Sequence, residues 1–293
     1  MFEKLVLTNV STQESIVLDV DDSEFVLGEV DFGSVPGTHH TQKFFNQIGV
    51  YIENTTLEAR EPSIQGWVIG DTYDQLKANK AILNRLINPM NYLEAVVYDK
   101  YKLEFKPSSS IKYSTTKDLN NEVLCKFLIQ GTCSDPLFSL IDLTSSQVAY
   151  TAPKFKFPLV IPKHEGVVMG VRNPDRISIL ENSGDIESGL VIRLKANGSV
   201  LNPQVINAQT QEYIKINKEM SSGETILIST VDGKKKVKGI VDGEEYNYFG
   251  YWDFGSSWMK LSTGINYLTY TADSGLDVLD VEIEFTPRFL EVQ

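Results

Sequence analysis

Asp71-Thr-Tyr-Asp-Gln-Leu-Lys-Ala-Asn-Lys-Ala-Ile-Leu-Asn-Arg-Leu-Ile-Asn-Pro89 is the stretch where the hydrophobic period changes, and it sets how the rest is read. Tyr73, Leu76, Leu83, Leu86 and Ile87 fall on one face at helical spacing. Asp71 stands where it would cap the first turn, and Pro89 stops the helix. Asn79 and Lys80 interrupt the apolar face, so the helix is expected to pack on a sheet along one side. It is the only long helix the sequence predicts.

On both sides of that helix the period is two. Tyr101, Leu103 and Phe105 alternate with Lys102 and Glu104. Leu190-Val-Ile-Arg-Leu-Lys-Ala196 and Val281-Glu-Ile-Glu-Phe285 repeat the pattern. Each reads as a half-buried strand of an antiparallel sheet. Asp232-Gly233 and Asp242-Gly243, each preceded by a valine, read as tight hairpin turns. The fold class is therefore mainly β with one helix. Between Ser139 and Glu165 the alternation fades, and Pro153, Pro158 and Pro162 suit an extended connector better than a sheet interior. The expected division is a first domain over 1–142, a linker over 143–165 and a second domain over 166–293, the last an all-β sandwich of about nine short strands.

The chain has 293 residues, 42% hydrophobic and 23% charged, enough for one large core or two modest ones. Its net charge is −12, divided as −8 before and −4 after Tyr150. That balance excludes a grip on nucleic-acid phosphates, which consumes a cationic surplus. Met1–Val10 meets a polar residue every few positions, so a secretory leader is not expected, and no apolar run approaches a bilayer span. The reading is a soluble protein made in a cytoplasm, with no membrane partner. Cys125 and Cys133 flank one apparent strand that would hold them about 26 Å apart, so both are expected as free thiols.

Catalytic spacing is missing. His39 and His40 lie in a Gly/Pro loop without the HExxH or HxH pattern of a metal site, and His164 stands alone. Asp19-Val-Asp-Asp-Ser-Glu24 lacks the glycine and distal glutamate of a calcium loop and reads as a solvated strand-to-turn segment. Neither a Gly-x-Ser-x-Gly elbow nor a phosphate-cradling glycine loop occurs. No cofactor is expected. Lys234-Lys-Lys236 with Lys238 follows the Asp232-Gly233 turn as a solvated hairpin arm. The richest local feature is Tyr246-Asn-Tyr-Phe-Gly-Tyr-Trp-Asp-Phe254 with Trp258 behind it. Tyr248, Tyr251, Trp252 and Trp258 could plug the end of a sandwich core, anchor a protein partner or stack on sugar rings.

Three groups of motifs carry a resemblance. The first is Ile64-Gln-Gly-Trp-Val-Ile-Gly70, a strand with Gly-x-x-x-Gly, running through the helix to Leu86-Ile-Asn-Pro89. The second is Phe127-Leu-Ile-Gln-Gly-Thr-Cys-Ser-Asp-Pro-Leu-Phe138, with Leu137 intervening before the aromatic residue. The third is the order Asn182-Ser-Gly-Asp185, Asn202-Pro-Gln-Val-Ile-Asn207, Leu261-Ser-Thr-Gly-Ile-Asn266 and Arg288-Phe-Leu-Glu-Val292. Together, over nearly the whole chain, they resemble the distal tail (Dit) proteins of long-tailed, non-contractile phages.

The resemblance implies a structural hub and no enzyme. It implies an N-terminal β-sandwich or split-barrel-like domain with a single α-helix that forms a hexameric ring, then a galectin-like β-sandwich. Implied partners are copies of itself, the tail tube protein, a tail-associated lysin or tail fibre protein, and a receptor-binding protein. The implied location is the phage tail tip, after synthesis in the host bacterial cytoplasm. The acidic balance suits a channel past which DNA slides without adhering. For the ring contact, Thr41–Tyr51 is the expected arm, with Phe44, Phe45, Val50 and Tyr51 meeting a neighbour, unless both phenylalanines belong to their own core. The alternative function is recognition of host cell-wall polysaccharide through the second domain, by way of Tyr246–Trp258.

Overall fold

The computed structural model describes residues 2–21, 24–142, 144–149, 151–153, 170–172 and 177–292. The chain divides into two compact units, Met1–Ile141 with Phe289–Gln293, and Asp142–Arg288.

The first unit contains β1 (Lys4–Asn9), β2 (Ser15–Asp19), β3 (Phe25–Asp31), β4 (Gly37–Gln42), β5 (Tyr51–Leu57), β6 (Ser63–Ile69), α1 (Tyr73–Leu86), β7 (Leu93–Val97), β8 (Tyr101–Pro107), β9 (Lys112–Tyr113), β10 (Leu124–Thr132) and β11 (Phe138–Leu140). Strands run β8-β7-β1-β2-β3-β6-β10, and β10 pairs back to β8 at Gly131↔Pro107 and Thr132↔Lys106, closing a barrel. Closure leaves fewer exposed strand edges. Alternation does the rest: Leu5, Leu7, Leu18, Ile64, Val68, Leu103, Phe105, Phe127 and Ile129 point inward and are buried.

The helix forms where its period predicted, with two adjustments. Thr72, one residue after Asp71, is the N-cap, its Oγ1 accepting from the Gln75 N–H at 3.3 Å. Gln75 Oε1 in turn accepts from the Asp71 N–H at 3.1 Å, in the manner of a capping box. A threonine hydroxyl in extended backbone reaches the third helical N–H, and that geometry selects position 72. Leu76, Leu83, Leu86 and Ile87 are buried as expected, whereas Tyr73 at the first turn is exposed. Asn79 joins the buried face because its Nδ2 donates to the Ile69 carbonyl at the end of β6. The Gly-x-x-x-Gly motif has a steric cause. A Cβ on Gly66 would lie 2.4 Å from the Val26 carbonyl oxygen, and one on Gly70 2.4 Å from the Leu76 nitrogen.

The expected second domain runs to Gln293, but Phe289–Gln293 fall in the first unit. Arg60 is the reason. It is fully buried, its Nη2 donates to the Leu290 carbonyl, and it pairs with Glu291 at 3.3 Å. Its guanidinium lies 4.7 Å from the centre of the Phe138 ring, and Phe289 meets Tyr101 edge-on at 5.3 Å. Cys125 and Cys133 are both buried free thiols. Burial pushes the Cys133 thiol up to about 12, against the pull of Arg60, so it is inert at neutral pH.

The second unit contains β12 (Thr144–Ala149), β13 (Thr151–Pro153), β14 (Gly170–Arg172), β15 (Ile177–Asn182), β16 (Ser188–Ala196), β17 (Val200–Leu201), β18 (Gln204–Asn207), β19 (Tyr213–Lys215), β20 (Glu219–Met220), β21 (Thr225–Ser229), β22 (Lys236–Val241), β23 (Glu244–Asn247), β24 (Lys260–Leu261), β25 (Gly264–Thr271) and β26 (Leu279–Phe285); β27 (Arg288–Phe289) straddles the division. One sheet runs β12-β26-β16-β21-β22-β23 with β24 on β16, and a second runs β15-β25-β18-β19. Both contribute to one core, through Leu190, Ile192, Leu194, Val281 and Ile283 from the first and Val205, Ile214, Leu268 and Tyr270 from the second. Two- and three-residue strands, too short for a period to show, raise the number above the nine expected.

The expected linker lies largely outside the described residues, as do Pro158, Pro162 and His164. Within it, Thr144–Ala149 is a strand paired to β26, because backbone pairing needs no apolar alternation. The Asp242-Gly243 turn is the two-residue hairpin its sequence predicts, with φ +51° and +87°. Asp232-Gly233 instead sits inside a six-residue connection between β21 and β22.

Three of the four asparagines of the third motif group, Asn182, Asn207 and Asn266, are buried turn-makers. Asn182 Nδ2 donates to the Ile186 and Leu261 carbonyls while Oδ1 accepts from the Gly184 N–H. Asn266 Nδ2 donates to the Ser262 and Gly264 carbonyls, and Oδ1 accepts from the Ser262 N–H. Asn207 Oδ1 accepts from the Gln209 and Thr210 N–H groups. Such side chains satisfy backbone that leaves the sheets inside the protein.

Candidate functional site

Two surfaces stand out, one on each unit. On the first, β4 and β5 pair only with each other among the described residues, and every residue of both strands is exposed. His39 and His40 lie on β4 rather than in a loop, because Gly37–Gln42 finds a full antiparallel partner in Tyr51–Leu57. Their rings reach across the hairpin to the Thr55 and Thr56 hydroxyls at 2.9 and 3.3 Å. Among the described residues no cluster of three or more metal-type ligands occurs.

The loop joining these strands carries Phe44 (63% exposed), Phe45 (96%) and Ile48 (102%), followed by exposed Val50 and Tyr51. Neither phenylalanine belongs to the core of its own unit. A two-stranded hairpin without a packed face is marginal in water by itself. The sequence singled out Phe44, Phe45, Val50 and Tyr51, all four exposed; Ile48 and Ile52 extend the same exposed apolar set.

On the second unit the aromatic segment forms a stack. Trp252 and Trp258 lie 4.4 Å apart at 20°, and Phe249 lies nearly parallel to both, at 6.5 and 6.3 Å. Trp252, Trp258 and Tyr248 rest against the core, while Phe249 and Tyr251 are exposed. The most exposed of these three rings is thus Phe249, which the sequence did not single out from its neighbours. Asp253 pins the following loop, accepting from Tyr213 Oη at 3.1 Å, Asn217 Nδ2 at 3.0 Å and the Gly255 N–H at 3.0 Å.

A buried carboxylate holds the other side. Glu224 is 3% exposed, accepts from the Ser221 N–H at 2.9 Å and pairs with Lys218 at 2.8 Å. Lys218 Nζ also lies 5.1 Å from the centre of the Tyr248 ring. Burial alone would raise the carboxyl, but Lys218, the Ser221 N–H and the Tyr248 hydroxyl outweigh it and hold Glu224 below its ordinary 4.5. Burial and Glu224 together push the Tyr248 phenol up to about 12. A depressed carboxylate stabilises the fold fully above its unfolded pKa, and that contribution is lost as pH falls through the folded value. Glu224→Gln is therefore expected to cost the second unit about 1.5–3 kcal/mol at pH 7. The gap from wild type narrows as pH drops below 4.5. Urea titrations across pH 7 to 2 check this, and a gap of constant size would refute the assignment.

Beside the stack runs a groove of 440 Å³ lined by Lys235, Lys236, Lys238, Glu245, Tyr246, Asn247 and Phe249. Among the described residues no helix is long and apolar enough to cross a membrane.

Residues 183–289 match the family model of the siphovirus-type tail component, C-terminal domain. No curated protein matches the chain in sequence. Among solved structures, SPP1 Dit, named as a paradigm of hub adsorption apparatus in Gram-positive infecting phages, is similar at 15% identity, over 97% of this chain and 99% of that one, with a TM-score of 0.66. A chain of the phage P2 baseplate in its activated conformation with calcium matches at 13% identity over 97% and 98%, with a TM-score of 0.46. Residues 183–289 of the second unit are therefore similar to the C-terminal domain of siphovirus-type tail components, and the chain as a whole is similar in fold to SPP1 Dit.

Proposed function

We propose that this protein is a structural hub of the phage tail tip. Six copies join through the first unit into a ring that continues the tail tube, and the second unit holds host-recognition proteins. The observation that carries this reading is the β4–β5 hairpin, exposed along its whole length with Phe44, Phe45 and Ile48 at its tip. Two bare strands and two phenylalanines gain most from another copy, whose sheet supplies backbone pairing and whose surface covers the rings. The partners are further copies, the tail tube protein, and a lysin, tail fibre or receptor-binding protein on the distal side. The −8 balance of residues 1–150 suits a channel wall that DNA passes without adhering.

The test mixes the purified chain with its tail tube protein and reads mass by light scattering and shape by negative-stain imaging. A six-fold ring is expected, and a chain that stays single beside assembled tube overturns the reading. A second reading, host cell-wall polysaccharide bound by the second unit, is favoured by the exposed rings of Phe249, on the aromatic stack, and of Tyr251, edge-on to Tyr248.

A further inference from the structure

We infer that the groove beside the aromatic stack binds an anionic glycan, its sugar rings on Phe249 and Tyr246 and its phosphate or carboxylate groups at Lys235, Lys236 and Lys238. The inference rests on the second reading above, that the stack meets a glycan, and narrows it to a charge class.

Size is the first support: 440 Å³ falls inside the range of about 300–1,000 Å³ typical of small-ligand sites. Rigidity is the second. Phe249 is held parallel to two indoles that themselves rest on the core, so its exposed face is ordered before any ligand arrives. A flat, apolar, fixed ring next to polar groups suits the C–H face of a pyranose, with hydroxyls turned to the groove walls.

Charge is the third. In a chain of net charge −12, the groove places three lysines against one glutamate. Lys238 is tied to Glu245 across β22 and β23. Lys235 is divided between Asp232 at 3.6 Å and the face of Trp258 at 5.7 Å. Lys236 is exposed and has no side-chain hydrogen bond or ion pair among the described residues. Asn247 Oδ1 accepts from the Phe249 N–H at 3.0 Å, which leaves its amide hydrogens to donate outward. Lys236 does act through space on the Glu245 carboxylate, and the groove thus offers an exposed cation, an amide donor and an aromatic face along one hairpin and the turn that follows it.

Two other occupants fit less well. A peptide adding a strand would have to pair with β23, but that edge is four residues long and bears Glu244 and Glu245, the kind of charged short edge that resists addition. Single-stranded nucleic acid also uses rings with lysines, but its sites run over about 4–16 nucleotides, longer than a groove of 440 Å³.

The test follows tryptophan fluorescence and calorimetry of the full chain with five probes: phosphomannan, polygalacturonate, neutral mannan, inorganic polyphosphate and oligothymidylate. Binding is expected for phosphomannan or polygalacturonate, and which of the two binds tells phosphate from carboxylate. Neutral mannan should bind at least tenfold more weakly. Lys236→Gln, at an exposed position, and Phe249→Ala should each weaken the anionic glycan at least tenfold. Absence of binding to every glycan overturns the sugar reading and this inference together. Equal binding of neutral mannan overturns the charge class alone. Polyphosphate or oligothymidylate bound as tightly as the glycan, or Lys236→Gln binding like wild type, overturns it as well.

Discussion

Replacing Phe44 and Phe45 together by aspartate is expected to leave a folded chain that no longer assembles. Both side chains stand outside the core, at 63% and 96% exposure, so the barrel loses nothing when they change. In the proposed ring each copy would give its hairpin to one neighbour, and burying two phenylalanines would contribute about 3–6 kcal/mol to each such contact. Aspartate removes that gain and adds carboxylates that resist desolvation. A contact weakened by about 4 kcal/mol dissociates roughly a thousandfold more readily, and a closed ring suffers it at every joint. Circular dichroism should match wild type while the light-scattering mass falls to that of one chain. An unchanged assembly mass would remove the hairpin from the interface.

The second large effect is expected at Arg60. Arg60→Ala should destabilise the first unit by about 3–5 kcal/mol, the usual cost of emptying a large buried site. The change frees the Leu290 carbonyl, removes the pairing with Glu291 and opens a hole over Phe138. Arg60→Met should cost distinctly less. Burial lowers the guanidinium pKa even against the opposing pull of Glu291, and Nε and Nη1 have no hydrogen-bond partner among the described residues. The charge is thus held at a desolvation cost that an apolar side chain of similar length avoids. Hydrogen exchange at Phe138–Leu140 and Phe289 reads the effect within the first unit alone. Equal losses for alanine and methionine would mean that the cavity plays no part.

What the sequence made legible was whatever repeats locally. The switch of period at Asp71–Pro89 located the helix, and the alternation in Tyr101–Phe105, Leu190–Ala196 and Val281–Phe285 gave strands with the correct faces buried. Long-range pairing was not legible. Nothing near Gly131 announces that β10 returns to β8, and nothing in Thr144–Ala149 announces a partner in β26. Arg60 looked like any charged loop residue, because its burial depends on a segment 230 positions away. The hairpin arm was half legible. Tyr51–Leu57 has the β-branched and aromatic composition of a core strand, and sequence alone could not decide between a neighbour's surface and its own barrel. Among the aromatic residues, the segment identified the cluster but not which ring is most exposed, since that follows from the fold of the loop onto Trp252 and Trp258.

The discontinuity of the first unit bears on biosynthesis. Phe289–Val292, which Arg60, Tyr101 and Phe138 receive, leave the ribosome after every residue of the second unit. Domains tend to fold as they emerge, so the second unit is finished while the first still lacks the segment at Phe289–Val292 and Arg60 its acceptor. A nascent chain therefore completes its first unit last, although that unit begins first.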